Sequence, residues 1–135
     1  MTGEPYHLIE RVADQLAADT TTIADLSAAL GTVEQDYGAS MTLKPADSAF
    51  SSITITRARD NRGISHVSLT LAAPQALDEF RRRYPDAEET VGDDDAPVQW
   101  VIEQDMPGKK FLVRLFADTV LDEVTAFTLL RDIRL

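Results

Sequence analysis

Between Ser52 and Leu71 the chain alternates apolar and polar residues at period two, and nothing else in it constrains the fold so strongly. Ile53 and Ile55 alternate with Thr54 and Thr56, and Val67, Leu69 and Leu71 alternate with His66, Ser68 and Thr70. Successive side chains of a strand point to opposite faces, so each run is a strand with one apolar side. Between them, Asp60-Asn61-Arg62-Gly63 is hairpin chemistry, because Asn and Gly tolerate positive φ. A weaker strand signal, Ser40–Lys44, precedes the pair.

Three segments have the helical period instead. Over residues 5–18, Leu8, Ile9, Val12 and Leu16 fall on one stripe, and Pro5 suits a first turn. A second helix is expected from Thr22 to Leu30, with Thr22 as cap, Asp25 at the capping-box position and Ile23, Leu26 and Leu30 as its apolar stripe. Gly31 stands where a left-handed C-terminal residue belongs. A third helix, 75–84, opens after Pro74 and stops at Tyr84-Pro85, with Leu77, Phe80 and Tyr84 facing the core. On it, Asp78 and Glu79 precede Arg82 and Arg83 by four residues, a favourable spacing for surface ion pairs.

Further strands are expected at Val98–Gln104, Lys110–Ala117 and Glu123–Arg131. Met106-Pro107-Gly108-Lys109 fits a type II turn between the first two. Trp100 alternates with Val98 and Ile102 and is expected to be buried. On the next strand Phe111, Val113 and Leu115 face one way, Leu112 and Phe116 the other, a pattern that predicts a central strand covered on both faces.

These elements predict a single α+β domain over 1–135: a mainly antiparallel sheet of about six strands with two or three helices. Ala39–Leu71 and Val98–Leu130 each read strand, strand, strand, and a shift of 59 takes Met41 to Trp100, Ile53 to Leu112 and Leu71 to Leu130. The expected plan is an N-terminal helix followed by two α-βββ units. That order of elements resembles small bacterial binding modules such as secretion chaperones, inhibitors with tandem helix-plus-sheet units and toxin-immunity proteins. The resemblance implies a binding function and carries over no particular residue.

Composition narrows the function. There is no cysteine, which removes disulfides, thiolate metal sites and a cysteine nucleophile. The start, Met1-Thr2-Gly3-Glu4-Pro5, is not a secretory signal, and no apolar run approaches the roughly 20 residues of a membrane span. The expectation is a cytoplasmic protein. Formal net charge is −10. It is uneven: residues 44–83 carry a small basic excess, and residues 86–95 hold six acids and no base. Such a balance argues against a broad nucleic-acid interface. Asp25–Gly31 has the look of the first helix of a helix-turn-helix, but the segment after it carries Glu34 and Asp36 and no base.

No catalytic or cofactor motif is present, and no cofactor is expected. His7 and His66 are far apart, the six glycines spell neither a dinucleotide fingerprint nor a phosphate loop, and Gly-x-Ser-x-Gly is absent. An EF-hand begun at Asp86 fails, because Val91 replaces its glycine and Pro97 its bidentate glutamate. No metal site is expected.

Two constellations remain. Arg57 and His66 on the hairpin strands, with Arg114 on an otherwise apolar strand face, are candidate polar groups of a ligand pocket. Asp86, Glu88, Glu89, Asp93, Asp94 and Asp95 form an acidic loop, a candidate surface for a basic protein partner together with Glu10 and Asp14 of the first helix. The first reading is a non-enzymatic protein-binding module of the adaptor, chaperone, inhibitor or immunity type. Its alternative is a ligand-binding or hydrolytic domain with a pocket around Arg57, His66 and Arg114.

Overall fold

The structure is a computed structural model that describes residues 5–18, 22–59, 63–90, 98–105 and 107–133. The elements run α1 (Pro5–Ala17), α2 (Ile23–Leu30), β1 (Gly31–Asp36), β2 (Ser40–Pro45), β3 (Phe50–Arg57), β4 (Ile64–Ala76), α3 (Leu77–Arg83), β5 (Glu88–Thr90), β6 (Gln99–Gln104), β7 (Phe111–Val120) and β8 (Glu123–Ile133). All strands join one antiparallel sheet of order β1-β2-β3-β4-β8-β7-β6-β5.

The fold is therefore α+β with three helices, and the sheet has eight strands where about six were expected. The two additional strands are the edges. β1 is exposed from Thr32 to Asp36, and all three residues of β5 are exposed. An edge with no buried side carries no apolar alternation, so it leaves little trace in a sequence.

All three helices pack on one face of the sheet: α1 against β7 and β8, α2 against β1 and β2, α3 against β4 and β8. Leu8, Ile9, Val12 and Leu16 of α1 are buried, as their spacing predicts, and so are Leu26 and Leu30 of α2. The capping box at Thr22 is formed: the Asp25 amide donates to Thr22 Oγ1 at 3.0 Å, and the Thr22 amide donates to the Asp25 carboxylate at 3.3 Å. At the end of α1, Arg131 of β8 does what a capping residue would do. Its Nε donates to Leu16 O at 2.7 Å and its Nη2 to Ala18 O at 3.0 Å. Tyr6, Phe80, Tyr84 and Phe127 then lock α1, α3 and β8 together, with ring centroids 5.1–6.2 Å apart.

Several local expectations change. Gly31 is extended, with φ 162°, and does not adopt the left-handed cap. Glycine is required there because a Cβ would lie 2.0 Å from the Lys44 carbonyl oxygen. Pro74 sits inside β4, in the stretch between Thr70 and Gln75 where pairing with β8 lapses, so it deprives the ladder of no hydrogen bond. Helix α3 begins at Leu77, two residues later than expected; Phe80 and Tyr84 are buried and Leu77 is half-buried. Its ion pairs also differ: Arg82 meets Glu79 at 2.7 Å, and Arg83 reaches Glu10 of α1 at 3.6 Å. Trp100 is only half-buried, beneath the Arg81 guanidinium 4.9 Å from its ring centroid, and Val98 is exposed. The turn residues 60–62 and Met106 lie outside the described residues; Gly108 has the positive φ, 81°, that a type II turn needs.

The repeat is four strands per helix, not three. α2 leads β1–β4, α3 leads β5–β8, and the halves meet where β4 pairs with β8. The midpoint of that seam is Ser68 opposite Thr128, whose hydroxyls lie 3.5 Å apart. Burial follows the same symmetry. Ile64, Val67 and Leu69 on β4 match Val124, Phe127 and Leu129 on β8, all buried. Met41 and Trp100 do correspond, since they pair with Ile55 and Ala117. Ile53 corresponds to Leu115 and not to Leu112, because bulges change the offset between strands; Leu71 and Leu130 likewise point to opposite faces.

Candidate interaction surface

The helix-covered side of the sheet is a closed core. Ile53, Ile55, Val67, Leu69, Val113, Leu115, Phe127 and Leu129 are all fully buried there. The other side has no covering element among the described residues. Across its middle, one row runs Thr42, Thr54, Ser68, Thr128, Phe116 and Val101 from β2 to β6. A neighbouring row runs Ser40, Thr56, His66, Leu130, Arg114 and Glu103, and on the other flank lie Thr70, Ala126, Asp118 and Gln99. The β2–β4 half of this open face is thus hydroxyl-rich, and the β6–β8 half is apolar with charges set into it. β7, expected to be covered on both faces, is covered on one among the described residues. Its outward stripe of Leu112, Arg114, Phe116 and Asp118 is half-buried, and Val120 at its end is 55% exposed.

The three residues considered for a pocket do not converge. Arg57 shares the phase of Ile53 and Ile55 and so belongs to the helix side. There it makes a two-pronged pair with Asp36 of β1, at 2.9 and 3.1 Å, and also donates to Gly38 O. That hydrogen-bonded guanidinium, with the Gly38 amide, brings the Asp36 carboxyl down to about 2, and the Arg57 pKa rises correspondingly. His66 and Arg114 do share the open face, in one row, with Leu130 between them. His66 has Ser65 Oγ 3.3 Å from Nδ1, and burial lowers its pKa. Arg114 is held by Asp132 at 3.3 Å and Glu103 at 3.8 Å. Among the described residues no group of three or more His, Cys, Asp or Glu side chains is placed to hold a metal ion.

Of the acidic constellation, Asp93, Asp94 and Asp95 lie outside the described residues. Asp86, Glu88 and Glu89 line a groove of about 610 Å³ at the β5 edge, over Val101, Ile102 and Phe116, with Glu103 and Arg114 on its rim. Glu10 and Asp14 on α1 are engaged elsewhere, by Arg83 at 3.6 Å and Lys109 at 3.4 Å, while remaining more than half exposed. A second groove, of about 640 Å³, lies between α3 and β6, where Arg81 and Arg82 flank Trp100. Sequence reasoning did not single out Phe116, Leu130 and Asp118 as surface residues. For Phe116 the signal was the two-sided apolarity of β7.

Comparison with protein-family models, with curated proteins and with solved structures found no match for this chain.

Proposed function

We propose that this protein is a non-enzymatic protein-binding module that works through the open face of its sheet. The observation that carries the reading is the distribution of helices. Three helices bury one side of an eight-stranded sheet, while Phe116, Leu130, Leu112 and Val101 remain on the other. Antiparallel sheets tolerate one solvated face, and that face is then usually polar. A half-apolar open face with charges spaced through it has the composition of an interface, in which an apolar centre is ringed by polar groups. The acids Asp86, Glu88 and Glu89 lie at its β5 edge and would act mainly on the rate of encounter with a charged partner. The alternative, a pocket built from Arg57, His66 and Arg114, draws less support, because Arg57 and the other two occupy opposite faces.

Photocrosslinking in the native cell tests the reading. A photoreactive residue at Phe116 or Leu130 is expected to yield protein adducts, while the same group at exposed Ala28 of α2 yields none. Absence of protein adducts from both open-face positions would overturn the proposal.

A further inference from the structure

We infer that the partner of the open face is a second copy of this chain, packed sheet against sheet about a twofold axis. The inference rests on the reading of that face as a protein-binding surface, and it follows from the order of residues along β7. Read outward, β7 presents Leu112, Arg114, Phe116, Asp118 and Val120. The stripe is self-complementary on reversal: apolar, cationic, aromatic, anionic, apolar. A twofold axis lying in the interface, perpendicular to β7 and passing through Phe116, sets each residue against its mirror position in the other copy. Phe116 then meets Phe116, Arg114 meets Asp118 twice over, and Leu112 meets Val120.

The adjacent strands β8 and β6 agree with the same axis, whereas at the β5 edge it would set Glu88 against Glu88, so the contact stops at β6. On β8 it sets Leu130 against Ala126, a large side chain against a small one. On β6 it sets Val101 against itself and Glu103 against Gln99. Packed sheets lie about 10 Å apart, a span that an extended arginine and an aspartate bridge between them. The existing partners leave room for these pairs. Gln99 occupies one oxygen of Asp118, at 2.6 Å, and Arg114 is held at 3.3 and 3.8 Å by two carboxylates at the surface. Without β5, seven strands span about 29 Å, and with about 20 Å along the strands they offer a footprint of roughly 580 Å², below the ~800 Å² per partner of a standard interface and in keeping with a dimer that dissociates on dilution. An isologous contact of this kind closes on itself at two copies.

Sedimentation equilibrium on the full chain tests this, with far-UV circular dichroism to follow the fold. The wild type is expected to sediment at twice its chain mass of 14.9 kDa at high concentration and to dissociate on dilution. Phe116→Glu, which sets two carboxylates on the axis, is expected to weaken dimerisation at least roughly tenfold, as loss of a central aromatic contact does. Arg114→Asp and Asp118→Arg are each expected to weaken it, and the double variant to restore it. Local repulsion from Glu103 and Asp132 persists in the double variant, so the restoration reports pairing between copies. A wild type that stays at 14.9 kDa, or a dimer indifferent to Phe116→Glu, would overturn the inference. A monomer whose Phe116 position crosslinks to a different protein overturns the inference alone; a monomer with no adducts overturns the functional reading as well.

Discussion

Asp36 and Arg57 tie the β1 edge to β3, and the pair sets an acid limit on that edge. The folded carboxyl titrates near 2 against a reference of 3.8. The unfolded chain therefore takes up the proton first as pH falls, and the stabilisation, complete above about 3.8, is lost as pH drops toward 2. Asp36→Asn is expected to flatten the fall of melting temperature across that window, measured by thermal scans at stepped pH. A second residue-scale feature is the β7–β8 turn, where Leu121 and Asp122 hold φ of 51° and 64° and Leu121 is 91% exposed. A leucine in the left-handed region is strained, and a two-residue hairpin turn favours Asn-Gly. The double substitution Leu121→Asn, Asp122→Gly should raise stability by roughly 1 kcal/mol in urea titration, since the strain is removed and no core contact is lost. The sequence hid this turn because Leu121, in its first position, is not a turn former. It exposed the one at Pro107-Gly108 because those residues are. At Gly31 the residue was legible and its reason was not: the need for glycine comes from Lys44, thirteen positions away, through a backbone approach that no local pattern encodes.

At the scale of elements, periodicity made α1 and α2 and the strands β3, β4, β7 and β8 legible, since each presents a buried stripe. The ends of α3 and β4 were obscured by Pro74, which suits a helix start and an unpaired stretch of strand equally well. How α1 is held was also invisible. Its C-terminal carbonyls are satisfied by Arg131, from the far end of the chain, whose guanidinium also stacks 4.5 Å from the Phe111 ring centroid. Arg131→Met keeps the apolar stem and removes the donors. It is expected to cost about 1–2 kcal/mol and to speed amide exchange in the last turn of α1, with little change at α2. Adjacent residues of β7 give the sharpest contrast between the two faces of one element. Leu115→Ala should cost about 3 kcal/mol, because it opens a cavity in a closed core. Phe116→Ser should cost less than about 1 kcal/mol when measured at a dilution that keeps chains apart.

Over the whole molecule, the two-sided apolarity of β7 predicted a cover on both faces, and among the described residues only one face has one. A sequence states which residues avoid water and not whose atoms shield them. The candidate pocket failed to assemble for a related reason. His66 and Arg114 share a row because β8 separates their strands by one place, and Arg57 lies across the sheet by alternation; both depend on a strand order that becomes known only when β8 is inserted beside β4. That insertion also governs how chains assemble in time. Until β8 arrives, the N-terminal half ends in an uncapped β4, thirteen residues long. Its backbone is an equally good template for the β8 of a neighbouring chain. Refolding from denaturant at high concentration is therefore expected to trap interlocked pairs that have traded C-terminal halves, and dilute refolding to avoid them. Dilution would tell the two kinds of dimer apart: contact between faces is expected to dissociate without unfolding, whereas exchanged strands persist until the chains unfold.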